Sequence, residues 1–198
     1  LPPPGFDTTT VGVRANWPHH VTGFAAHWDK NTNFAARADQ WFLNLFPRER
    51  PFVYNGGGYL TLNFIPSLAT MIFGLLAGGV LRSTRAGPEK VKALITWAIG
   101  GIVLGLIVHL LGLCPIVKRI WTPSFVLWSG GFCFLFLAFF HEVLDVRGRS
   151  RWALPLVVLG TNSIAAYCLY EAFAGPTSQA LVRHLPAGLF DLLGPAYR

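Results

Sequence analysis

Four long apolar runs constrain what this chain can fold into more than any other feature. Leu60–Leu81 is uncharged, Val91–Leu113 holds one lysine near its start and His109, Phe125–Phe140 is uncharged, and Trp152–Phe173 meets its first carboxylate at Glu171. A helix of about 20 residues crosses the hydrocarbon core of a bilayer. Buried helices of soluble proteins are rarely this long and apolar four times in succession. The runs therefore predict four transmembrane helices, at 60–81, 91–113, 124–142 and 152–173. Composition enters as a check: 53% of the 198 residues are hydrophobic and only 13% charged, where soluble domains carry roughly 25%. So few charges cannot cover the surface of a small soluble monomer. Disorder needs the opposite balance, low hydrophobicity with high charge. The predicted class is an all-α membrane protein, a four-helix bundle whose first partner is the lipid bilayer.

The flanks differ from the runs. Residues 1–59 are polar, aromatic and rich in turn formers, with a short amphipathic helix predicted near 34–46. Its apolar face would carry Phe34, Ala38, Trp41, Phe42 and Leu45, and Pro47 would stop it. Residues 60–174 hold the bundle. Residues 175–198, interrupted by Pro186, would lie in the interface as a tail. The net charge of +7 sits at the ends of the apolar runs, not on one face or in an arginine-rich arm, which is membrane patterning and argues against a nucleic-acid partner. The loops 82–92 and 142–151 hold Arg82, Arg85, Lys90, Lys92, Arg147, Arg149 and Arg151, whereas the loop between the second and third runs holds only Lys118 and Arg119. The excess of basic residues puts loops 82–92 and 142–151 in the cytoplasm and residues 1–59 and 175–198 outside. The expected location is a bacterial inner membrane. Opening on Leu1 with no visible signal peptide, the chain reads as a piece of a longer protein.

Small residues mark where membrane helices touch. Gly74 and Gly78 in the first run, and Gly101 and Gly105 in the second with Gly112 beyond, predict packing faces. Pro66 predicts a bend in the first helix. Asn63, Ser67 and Thr70 share one face there, and Asn162, Ser163, Tyr167, Tyr170 and Glu171 form a stripe on the fourth helix. Polar groups at such depth bond a neighbouring helix or line a wet cavity, and the sequence leaves both open. Single cysteines offer neither a disulfide framework nor a metal pair. His19, His20 and His27 lack metal spacing and a carboxylate partner visible in sequence, so no metal is expected. His109 reads as a packing residue, and His141 and Glu142 as solvated helix-end residues, Glu142 needing Arg147 or Arg149 to answer its charge. Thr122-Pro123 is a helix start, Thr122 as cap and Pro123 in the first turn. No nucleophile elbow or phosphate loop appears, and the catalytic residue is unknown.

Three stretches together carry a resemblance. They are Asn33 to Gly78, including Asp39, Gly57-Gly58-Tyr59 and Thr61 to Ser67; Pro115 to Phe125, including Lys118, Trp121-Thr122 and Ser124; and Asp145-Val146 with Gly160-Thr161-Asn162-Ser163 to Tyr167. In this order they resemble the C-terminal half of the heparan-alpha-glucosaminide N-acetyltransferase-like membrane acyltransferases. The resemblance implies a polytopic enzyme that passes acetyl from cytosolic acetyl-CoA to the amine of a terminal glucosamine across the membrane. It also implies that the N-terminal half, with the family's proposed catalytic histidine, is a missing partner, so the fragment alone would be inactive. Candidate substrate- or cofactor-binding residues are Asn162, Ser163 and Tyr167 on the fourth helix, and Lys118, Trp121, Thr122 and Ser124 at the outward mouth. A homo-oligomer stays open, as does the alternative of a sugar-binding or sugar-transporting protein without chemistry.

Overall fold

The structure, a computed structural model, describes residues 3 and 5–184, without the side chain of residue 182. The tail expected beyond residue 184, Pro186 included, lies outside the described residues. Among the described residues there are helices and no strands. Three helical stretches among the described residues are long and apolar enough to cross a membrane: Thr61–Arg82, Gly87–Leu110 and Pro123–Val146. A bent pair, Arg151–Thr161 with Ser163–Leu181, raises the number to four if it counts as one span. The chain divides into two compact units, one ending at Gly148 and the other starting at Arg149.

In the first unit, 3₁₀ turns at Thr8–Val11 and Gly23–Trp28 precede α1, Phe34–Leu43. Asn33 caps α1, its side-chain oxygen accepting the Ala36 N–H at 2.9 Å. The face that α1 buries is not the apolar one read from the sequence. Ala36 and Asp39 point inward, while Phe34 and Trp41 stand 80% and 69% exposed. The reason is Asp39, whose two carboxylate oxygens accept the Thr61 N–H at 3.1 and 3.0 Å and so tie α1 to the entry of the next helix.

That helix, α2, is Phe64–Arg82. Pro66 falls in its first turn, where the missing N–H has no intrahelical partner to lose, so it removes no hydrogen bond from the helix. Then α3, Gly87–Leu110, begins with Pro88 in its first turn and so starts before the apolar run. It ends short of Leu113 because Gly112, at φ +69°, takes the left-handed conformation. Leu113 N–H bonds Val108 C=O at 3.2 Å and Gly112 N–H bonds His109 C=O at 3.0 Å, the hydrogen-bond pair of a Schellman cap. Gly112 is thus a helix stop, not a packing glycine. His109 is exposed, its Nδ1 accepting the Ile116 N–H at 3.4 Å.

α4, Pro123–Phe140, runs on through a π-helical turn, His141–Val146. α3 and α4 cross with their backbones in contact. A Cβ on Gly101 would lie 2.8 Å from Leu127 O, one on Gly105 2.9 Å from Ser124 O, and one on Gly131 2.7 Å from Ala98 O. The Gly74–Gly78 pair has nothing within 4 Å among the described residues. α2 instead meets α4 through Phe73, whose ring packs on Gly130 and on Phe134. Leu94, Ala98, Phe134 and Ala138 close the core with Ala77 and Val80. Outside it, Leu68, Met71, Leu75, Ile99, Val103 and Leu104 are all exposed. An apolar belt of this extent suits lipid, not water.

In the second unit, α5 is Leu154–Thr161 and α6 is Ser163–His184. The continuous fourth span read from the sequence is broken at Asn162 by a 78° bend. α6 then passes through Pro176 into the region expected to be tail.

Candidate functional site

The loop from Cys114 to Pro123 is built around two buried hydroxyls. Thr122 Oγ1 donates to Pro115 O at 2.7 Å and accepts the Val117 N–H at 3.0 Å, and Ser124 Oγ donates to the same carbonyl at 2.9 Å. Both side chains are fully buried. Thr122 also caps α4 at Phe125 N–H. These two candidates therefore shape the mouth from behind and do not line it. Lys118 is exposed on the loop. Trp121 adopts φ +52°, stacks edge-on against Phe125 and donates its indole N–H to Thr70 Oγ1 at 3.3 Å.

Ser67 and Thr70 on α2 bond back to Asn63 O and Pro66 O of their own helix, and Asn63 reaches the Arg119 carbonyl at 3.0 Å. The polar stripe of the first span is thus satisfied by bonds to its own helix and to the loop. The N-terminal segment docks on the same loop. Trp28 donates its indole N–H to Leu113 O and Arg119 its guanidinium to Gly57 O, each at 3.0 Å. This end of the helices therefore carries the N-terminal segment and the Lys118 loop together. The opposite end carries the Arg82–Lys92 loop, where Gly87 touches Val146.

Among the clefts at the first of these ends, two adjoin one another. One, of about 670 Å³, is almost wholly apolar, walled by Phe24, Phe34, Ile65, Phe73 and Trp121. The other, of about 410 Å³, has a mainly apolar lining that carries several charged or titratable side chains; it adjoins the first through Trp28 and Ile120 and holds Trp17, His19, His20, Asp29, Lys30 and Arg119. Here the structure corrects the sequence: His20 has a carboxylate partner. Its Nδ1 lies 3.1 Å from Asp29 Oδ2, and Asp29 Oδ1 accepts the Val21 N–H at 3.2 Å. Lys30 Nζ sits 5.1 Å over the Trp17 ring. The signal was only a histidine nine residues before an aspartate in an irregular segment, and no helix or strand period predicts that such a pair meets. Among the described residues no group of three or more His, Cys, Asp or Glu side chains could hold a metal.

At the opposite end the π turn pairs His141 Nδ1 with Asp145 at 2.7 Å and Arg147 with Glu142 at 2.8 Å. Arg147 is the answer to Glu142 that the sequence required, and His141 is mostly buried instead of solvated. In the second unit Asn162 sits at the break, its amide donating to Val158 O at 2.9 Å and Thr161 Oγ1 at 3.2 Å. Ser163 and Tyr167 follow it on α6 and are exposed within that unit. The candidates thus fall into two sets, one in each unit.

Comparison with known proteins gives two relatives. Over 185 residues the chain is 28% identical to the heparan-alpha-glucosaminide N-acetyltransferase of Mus musculus, covering 86% of this chain and 27% of that protein. Over 120 residues it is 31% identical to the protein of the same name from Homo sapiens, covering 57% of this chain and 18% of that one. These similarities point to a relation with that family. The chain spans about a quarter or less of the length of the relatives it matches. No family model matches it, and neither does a solved structure.

Proposed function

We propose that the chain is part of a polytopic membrane acyltransferase that moves an acetyl group from acetyl-CoA to an amino sugar or related glycan. The observation that carries this is the similarity to two N-acetyltransferases, in a chain with three apolar helices long enough to span. The basic end faces the cytoplasm in this reading, and the end bearing the N-terminal segment faces outward, as loop charge dictates. At the basic end, Arg82, Arg85 and Lys92 are exposed, and Lys92 lines a shallow cleft of about 460 Å³. That charge suits a phosphorylated donor, and these three residues would hold the phosphates of acetyl-CoA, which supplies a thioester acyl group when bound. Glu142 stands in the same cleft and occupies Arg147, so Arg147 is not counted among them. Trp121 and Lys118 face the acceptor side. Asn162, Ser163 and Tyr167 are the second unit's own candidates for a substrate or cofactor contact. The test is acetyl transfer by the reconstituted full-length parent with acetyl-CoA and glucosamine. Acetylated sugar is expected; silence with glucosamine and with other amine and hydroxyl acceptors contradicts the reading.

One observation favours a second reading, a sugar-binding or sugar-transporting protein without acyl transfer. The pair of helices broken by 78° at Asn162 resembles the discontinuous helices around which transporters build midplane sites. Labelled sugar accumulating in vesicles without dependence on CoA would favour it.

A further inference from the structure

We infer that α1 is an in-plane interfacial helix. Its aromatic face sinks among the phospholipid acyl chains of the leaflet at the Lys118-loop end, and one such chain enters the apolar cleft beside it. α1 turns Ala36 and Asp39 inward. Its opposite face carries Phe34, Trp41 and Leu45, which are 80%, 69% and 60% exposed, with Phe42 beside them. The patch runs past the helix end to Phe46, which packs edge-on against Phe42 at 5.4 Å and is also exposed. A contiguous apolar surface of this kind marks a contact with a partner or a membrane. At 10 residues α1 is about 15 Å long, too short to cross a bilayer.

Two observations identify the partner as lipid. The first is depth. The Asp39 carboxylate holds the Thr61 N–H at 3.1 and 3.0 Å, and Thr61 opens the spanning stretch Thr61–Arg82. α1 is therefore fixed at the level where the apolar run begins. That level is the membrane–water interface, where tryptophans such as Trp41 concentrate. The second is continuity. Phe34 lines the same cleft of about 670 Å³ as Trp121 and as Ile65, Ala69 and Phe73 of α2. Ile65 is itself exposed, at the head of an apolar face that continues through Leu68, Ile72 and Leu75. The aromatic face of α1 thus meets the lipid-facing side of α2 across a cleft that no Lys, Arg, Asp or Glu side chain lines. Charge agrees with this. Within residues 34–50, Arg37, Arg48 and Arg50 are exposed, against the single exposed carboxylate of Glu49. Lipid phosphates complement that excess, and long basic side chains beside an apolar face reach up to them. An anchored α1 holds the N-terminal segment and the Lys118 loop at the membrane surface. The inference goes beyond acyl transfer and does not depend on it.

The experiment uses the full-length parent in nanodiscs of phosphatidylcholine and phosphatidylglycerol. Phe34→Cys, Trp41→Cys and Leu45→Cys, each in a background without other reactive cysteines, carry a polarity-sensitive fluorophore, with Thr10→Cys as the water-side control. Emission at the three α1 positions should shift to the blue, fall when the acyl chains are brominated and ignore aqueous iodide. Thr10→Cys should do the opposite. Benzoylphenylalanine in place of Phe34 should form photoadducts with phospholipid, identified by mass spectrometry. Trp41→Gln with Leu45→Gln alters only exposed side chains, so the protein should fold, and the label at Phe34→Cys should then lie open to iodide. Iodide quenching at all three α1 positions overturns the inference. So do photoadducts with another segment of the parent, or with a second copy, in place of lipid. None of these readouts needs an acyl donor, so their failure and the failure of the acyl-transfer reading are seen separately.

Discussion

Gly131 and Gly78 look alike in the sequence, each a glycine in an apolar helix, and their surroundings separate them. A methyl group on Gly131 would meet the Ala98 carbonyl at 2.7 Å and Ile102 N at 2.9 Å, both backbone atoms of α3. On Gly78 it would meet nothing within 4 Å among the described residues. Gly131→Ala should therefore destabilise the chain by about 1–3 kcal/mol, the ordinary cost of overpacking. Gly78→Ala should be neutral or slightly stabilising, by up to about 1 kcal/mol. Thermal unfolding of the two variants in detergent distinguishes them, and equal shifts would contradict the packing described. Thr122 is the second residue with a large expected effect. Thr122→Val removes the donor to Pro115 O and the acceptor of Val117 N–H in a fully buried site. About 1–3 kcal/mol should be lost, measurable by the same unfolding, while Lys118→Ala on the exposed part of the loop should change stability little. The sequence made Thr122 legible as a cap, because Thr-Pro before an apolar run has one local meaning. It left the clasp with Ser124 and Pro115 unread, because those bonds depend on how the loop folds back. The same limit hid the His20–Asp29 pair.

Helices were legible where local chemistry decides them. Apolar length predicts α2, α3 and α4, and the displaced ends have local causes: Pro88 starts α3 within polar residues, Gly112 stops it early, and the π turn carries α4 on to Val146. The sequence misplaced the buried face of α1, since hydrophobic spacing does not reveal that a carboxylate will turn inward to hold Thr61. It also missed the break between α5 and α6, although Gly160, Thr161 and Asn162 are all weak helix formers. At the break Asn162 has φ −113° and ψ 36° and bonds Val158 O through its side chain. Asn162→Leu with Gly160→Ala should straighten the pair. Spin labels at Leu156 and Phe173, read by dipolar spectroscopy, should then move apart; an unchanged distance would show that the bend does not depend on these residues.

At the scale of the whole molecule, the N-terminal segment and the Lys118 loop share one end of the helices, and the Arg82–Lys92 loop and the π turn share the other. That division was legible from the alternation of the apolar runs, while loop charge is what predicts which of the two ends faces the cytoplasm. The chemistry was less so, since the clefts arise from the meeting of segments far apart in sequence. The central claim is that the apolar helices cross a bilayer with the basic end in the cytoplasm, and substituted-cysteine labelling with a membrane-impermeant maleimide tests it most directly. Cysteines at Thr10 and Lys118 should label in intact cells, and those at Ser83 and Ser150 only after the membrane is opened. Equal labelling of all four positions, or the reverse pattern, would contradict the account.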